Sequence, residues 1–273
     1  MNEALEMMKW PLVACVLLPG ILVYFGLHIV RREIIFVDLA LAQVAALGIC
    51  MAILLGYDAH DWQTKAWSGS FTLAGAIVLT LIRPSGKRIP HEALIGIVYV
   101  VAAAAGFLLL SKNPGGDEEL RKTMVGEILL VQSREVFVTF SVFVGVALFH
   151  LVFRRKFHLL SFAPDSGREQ GMRIWLWDFL FYVSFGVVVT SFVSMAGVLL
   201  VFSYLIIPAV CASLFAKSFR VRIVTGWVIS VLFSILGLYC AYVLDLPTGA
   251  AIICALGIAL LLSTVASKCF IRG

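Results

Sequence analysis

Nine apolar runs, each close to 20 residues, punctuate this chain: Pro11–Val30, Ile34–Gly56, Ala66–Ile82, Ala93–Leu110, Val136–Phe153, Ile174–Met195, Gly197–Ala216, Ile223–Leu244 and Gly249–Ala266. A helix needs about 20 apolar residues to cross the hydrocarbon core of a bilayer. The pattern therefore predicts an all-α, polytopic membrane helix bundle of about nine transmembrane helices. The third run is short enough to be tilted or partly re-entrant. The sixth and seventh abut at Met195-Ala196-Gly197, too tightly for an ordinary loop. A half-helix at that point would reduce the count to eight.

Composition agrees. Of the 273 residues 62% are hydrophobic and only 14% charged, with a mean hydropathy of +1.03. Soluble domains carry roughly 25% charged residues. The net charge of +5 does not point to nucleic acid, because no stripe of Lys and Arg alternates with aromatics on a polar face. The six cysteines form no CxxC pair. They read as small apolar filler, not as a disulfide framework or a zinc site. The opening MNEALEMMKW lacks the basic start of a cleavable signal peptide, so the first span is expected to stay as an anchor.

The basic residues orient the bundle. With the N-terminus outside and the C-terminus cytoplasmic, the segments RRE, RPSGKR, FRRKF through GMRIW, KSFRVR and KCFIRG all fall inside. They hold 15 of the 21 Lys and Arg, as the positive-inside rule requires. An even number of spans would break this alternation. Localisation in the cell (inner) membrane follows, with lipid as the surrounding partner.

Two connections exceed simple turns. The external loop 111–127 has a PGG turn followed by a helical-looking acidic-basic run. The cytoplasmic stretch from Arg154 to Ile174 holds a short polar segment, Pro164–Gly171, whose terminal Gly suits a helix of one or two turns. Small residues four apart, at Ala42/Ala46/Cys50, Ala102/Gly106 and Gly237/Ala241, mark close helix contacts.

Polar side chains inside the spans are the candidates for function. Asp38 and Gln43 interrupt the second run. A carboxylate at the centre of a membrane helix costs on the order of 2.5–3.5 kcal/mol on insertion scales, so it needs a reason to be there. Asp178 lies near the cytoplasmic end of its span, where it can snorkel or pair with Arg173. Asp245, before Pro247 and Gly249, reads as part of a tight turn.

Six stretches, in order, carry a family resemblance: FVDLALAQVAALG, HEALIGIVYVVAAAAG, MVGEILLV, FAPDSGREQGM, GVLLVFSYLIIPAVCASLFAK and LDLPTGAAII. Together they resemble the permease subunits of ABC importers for zinc, manganese and iron(II). The resemblance implies a single permease domain over 1–273 that works as a homodimer. It also implies two cytoplasmic ATPase subunits as the motor and a metal-binding delivery protein. The chain has no GxxxxGK[ST] phosphate loop of its own. It is accordingly expected to be no enzyme and to bind no cofactor, with a divalent metal as its substrate. Residues 160–173 resemble the segment that couples such permeases to the ATPase, with Asp165, Arg168 and Glu169 as its polar contacts.

One departure from the family pattern is plain. Many members have Asp-x-x-x-His in the second span, with both side chains on one helix face. Aligned through LAQVAALG, this chain has Leu39 and Gln43 at those positions, and Asp38 stands one residue early. Five residues place Asp38 and Gln43 about 140° apart around a helix. Three routes stay open. The ion passes with looser coordination from Gln43 and other spans, or Asp38 reaches the pathway from its own face, or the substrate differs. Glu92 and Glu127 match acidic positions of the family and complete the set of pathway candidates. Glu92, just after Pro90, also suits a helix start on electrostatic grounds alone. Two other classes remain as alternatives. One is a secondary transporter or channel working without an ATPase. The other is a membrane enzyme, for which the five scattered histidines give no ligand spacing.

Overall fold

The computed structural model describes residues 2–58, 61–82, 90–111, 116–126 and 128–271. The basic RPSGKR segment, His60 and Glu127 fall outside them. Among the described residues the chain is helical, with no strand. The helices are α1 Asn2–Arg31, α2 Phe36–Leu54, α3 Trp62–Leu81, α4 His91–Leu110, α5 Gly116–Val125, α6 Ser133–Val152, α7 Arg154–Phe162, α8 Pro164–Glu169, α9 Ile174–Ala196, α10 Val198–Phe215, α11 Phe219–Leu244 and α12 Thr248–Ile271, with a 3-10 turn at Ile128–Leu130.

Each of the nine apolar runs lies on a helix, and the acidic-basic run between the fourth and fifth of them is α5. Among the described residues, eight helices are long and apolar enough to cross a membrane. The ninth long helix is α3. It has 20 residues, roughly 30 Å at 1.5 Å per residue, and it starts four positions ahead of the apolar run. Its weaker apolar character has a packing cause. Thr64, Ser68 and Thr72, at four-residue spacing, are all buried, so this hydroxyl stripe meets protein instead of lipid. Ser68 donates to the Ala45 carbonyl at 2.9 Å, and Thr72 and Thr190 share a hydroxyl contact at 2.9 Å.

The helices gather into two compact units. The first comprises Arg31–Thr123 and Ser141–Ser194. In it α2 packs against both α3 and α4. Glycine permits the α2–α3 approach: a Cβ on Gly48 would stand 2.7 Å from the Ser68 Cα. The Ala42/Ala46/Cys50 and Ala102/Gly106 spacings are buried as expected for helix seams.

The second unit comprises Met1–Val30, Met124–Phe140 and Met195–Gly273. Here α10, α11 and α12 pack pairwise. A Cβ on Gly237 of α11 would lie 2.7 Å from the Ile252 Cα of α12. Gly197 alone separates α9 from α10. It has a φ of +76°, and Gly126 has a φ of +73°. Both are left-handed values that favour glycine. Any side chain on either would overlap the other's backbone, and one on Gly249 would overlap the Val125 carbonyl. Three glycines distant in sequence thus close one backbone junction.

Candidate functional site

The second span carries the first candidates. Asp38 occupies the first turn of α2, where the helix dipole favours an acid. That gain is small beside its burial. The residue is 1% exposed, and among the described residues neither carboxylate oxygen has a hydrogen-bond partner. Buried polar atoms without partners are rare, and each calls for an explanation. Gln43 is 4% exposed. The two side chains point about 140° apart, yet both lie inside. From Val37 to Ala46 every residue of α2 is buried, so burial does not separate its faces.

The other acids divide differently. Glu92 is half-buried in the first turn of α4, following Pro90 in extended conformation. That is the position the helix dipole favours. Glu127 lies outside the described residues. Among the described residues, no group of three or more His, Cys, Asp or Glu gathers into a metal-holding cluster. On α2 the fold buries one carboxylate and one amide, both oxygen donors. Such donors suit hard ions, whereas zinc sites draw on His and Cys nitrogen and sulfur.

The segment 164–171 is built as the sequence indicates. Pro164 opens α8, and Gly171 closes it with a φ of +74°. The Gly171 amide donates to the Arg168 carbonyl at 2.9 Å, and the Met172 amide to the Gly167 carbonyl at 3.0 Å. These two bonds make a Schellman cap. Asp165, Arg168 and Glu169 are exposed on this helix, and Arg168 donates to Asp165 at 3.2 Å. An exposed pair of this kind contributes little to stability.

Helix α7 was not anticipated from the sequence. It is anchored by aromatic packing: Phe157 stacks on His150 of α6 at 3.9 Å and 9°, and meets Trp177 of α9 edge-on at 5.5 Å. The His150 Nε2 is 2.8 Å from the Ser184 hydroxyl. Asp178 also departs from expectation. Its partner is Arg32, in the corner between α1 and α2, not Arg173. Both side chains are buried, at 9% and 2% exposure. The Arg32 guanidinium also lies over the Phe181 and Tyr182 rings, at 4.9 and 5.6 Å. A pair 146 positions apart leaves no sequence signal, and the nearer Arg173 is exposed. A buried carboxylate needs a desolvated partner, and Arg32 supplies it.

The profile of the ABC 3 transport family matches residues 4–267. The chain belongs to the ABC 3 transport family. It is therefore a multi-pass membrane protein of the ABC permease type. The manganese import system permease protein ScaB of Streptococcus gordonii is 25% identical over 228 residues, covering 84% of this chain and 80% of that protein. The manganese transport system membrane protein MntC of Halalkalibacterium halodurans is 24% identical over 242 residues, with 89% and 81% covered. Among solved structures, PsaBC from Streptococcus pneumoniae in complex with Fab superposes with a TM-score of 0.81 at 23% identity, covering 96% of this chain and 93% of that one. At that identity the likeness establishes the fold.

Proposed function

We propose that this ABC 3 family member is the membrane-spanning permease subunit of an ATP-driven importer for a divalent metal ion, and that manganese(II) is its substrate. The observation that carries the reading is the buried, unpartnered carboxylate of Asp38 on α2, in a family whose similar members are named for manganese. The donors offered by α2 are a carboxylate and an amide, with no His at the position where the family carries one. An oxygen set suits manganese(II), whereas zinc(II) sites typically add nitrogen or sulfur. In this reading Asp38, Gln43 and Glu92 are the pathway donors among the described residues, with Glu127 a further candidate outside them, and the described residues form no closed metal cage. A pathway needs sites that bind weakly enough to release.

The chain makes and breaks no bond. Two copies form the conduit, a delivery protein presents the ion outside, and an ATPase dimer grips α8 through Asp165, Arg168 and Glu169. ATP binding in the partner draws the two coupling segments together and changes which side of the membrane the pathway faces. The exposure of all three side chains supports this assignment.

The test is reconstitution. The chain is co-expressed with a candidate ABC-type ATPase subunit, purified as a complex and sealed into proteoliposomes. Uptake of manganese(II) that requires ATP and the delivery protein supports the reading. Manganese(II) movement by the chain alone, without ATPase, would instead establish a secondary transporter or channel.

A further inference from the structure

The corner between α1 and α2 is built more firmly than a connector requires. Glu33 adopts a left-handed φ of +54°, a conformation that L-residues keep only where their surroundings hold it. On one side Arg31 lies over the ring of Phe162, the last residue of α7, at 5.6 Å. On the other, Arg32 is bonded to Asp178 in the second turn of α9 and lies over Phe181 and Tyr182. Phe181 also packs with Phe157 of α7, at 6.3 Å. Phe162 lies two residues before Pro164, where α8 begins. Asp38 lies six residues after Arg32, within the first turn of α2. All of these residues belong to one compact unit.

From this juxtaposition we propose that Arg32 is a positioning residue for transport, the joint through which displacement of the α7–α8 segment reaches α2 and resets the environment of Asp38. The proposal rests on the permease reading above. A buried ion pair suits such a joint better than apolar packing. Its direction is fixed by hydrogen bonding and it resists sliding, whereas an apolar contact slips by fractions of an ångström at little cost. The stack on Phe181 and Tyr182 holds the guanidinium plane, so motion of α9 or α7 is passed to the backbone of Arg32. That backbone enters α2 through the turn at Glu33, with few torsions left to absorb the movement.

The test uses the reconstituted complex and reads the number of manganese(II) ions moved per ATP hydrolysed. Arg32→Leu combined with Asp178→Leu removes both charges and leaves neither unpaired. If Arg32 is the joint, this variant assembles with the ATPase and moves about tenfold fewer ions per ATP, a typical coupling loss. A ratio within about twofold of wild type in an assembled complex overturns the proposal, because a merely structural pair would change yield and not the ratio. Should the double variant fail to assemble, Arg32→Lys and Asp178→Glu decide. They keep the charges but lose the stacked, forked geometry, and an unaltered ratio in both overturns the proposal equally. A second readout is labelling of Asp38 by dicyclohexylcarbodiimide. It is expected to change on adding ATP to the wild-type complex and not in the variants. A wild-type complex that moves no manganese(II) would sink the permease reading itself, which separates the two failures.

Discussion

Gly126 and Gly197 press together backbone to backbone, each at a left-handed φ and neither with room for a Cβ. The contact pins the α9–α10 joint to the chain just before the 3-10 turn at Ile128–Leu130. One glycine of the pair is useless without the other, since a side chain on either would force the backbones apart.

Gly197→Ala is therefore expected to destabilise the protein by about 3 kcal/mol or more, combining left-handed strain with overpacking. Gly257→Ala, at a helical position with nothing within 4 Å of the added Cβ, should be neutral or stabilising by about 0.5–1 kcal/mol. Thermal melting of the purified protein in detergent compares the two. Equal midpoints would refute the junction.

The α2–α3 seam makes a matching contrast. Gly48→Val would drive its side chain into the Ser68 backbone, 2.7 Å from the new Cβ, whereas Gly69 on α3 has open space. Gly48→Val should cost roughly 1–3 kcal/mol and Gly69→Val far less. Ser68→Ala, which loses the bond to the Ala45 carbonyl, should cost about 0.6 kcal/mol, the average for a hydroxyl bond between membrane helices. The same melts measure all three.

Asp38 separates function from stability. A buried carboxylate without partners is costly to keep, so Asp38→Leu should raise the melting temperature or leave it unchanged. The same change should lower manganese(II) uptake by about tenfold or more, the loss of one charge-assisted ligand of at least 1.4 kcal/mol. Lower stability together with normal uptake would make Asp38 a packing residue.

On α8, Asp165→Ala and Glu169→Ala remove exposed charges and should change stability by no more than about 0.5 kcal/mol. Co-purification of the ATPase should nevertheless fall. Gly171→Ala acts by another route. It places a Cβ at a left-handed cap at a cost of about 1–2 kcal/mol, loosening the end of α8 while keeping all three charges. Retention of the ATPase on an affinity-tagged permease reads each effect.

Much of this was legible without coordinates. Twenty-residue apolar runs are helices because lipid leaves the backbone no other partner. Pro164 and Gly171 announced α8 at its two ends, because proline starts a helix and a left-handed glycine stops one. Asp38 stood out because a carboxylate in a greasy run is expensive. The α7 helix was hidden because its buried apolar side chains are only Phe157 and Leu160, too short a pattern to separate from a basic loop. The third span looked marginal for a related reason: its hydroxyls count against a membrane helix by composition, although they are buried in helix contacts.

The sequence by itself determined the long apolar helices, the family and the odd acid on α2, because these follow from the length of apolar runs, from the motifs in their order, and from the residue types within them. Only the tertiary structure decided that Asp178 belongs to Arg32, that α3 hides its hydroxyls, and that Gly126, Gly197 and Gly249 close one junction. Each of these depends on which surfaces meet across scores of residues. No local pattern specifies the partner of a buried charge or the backbone that a glycine must let through.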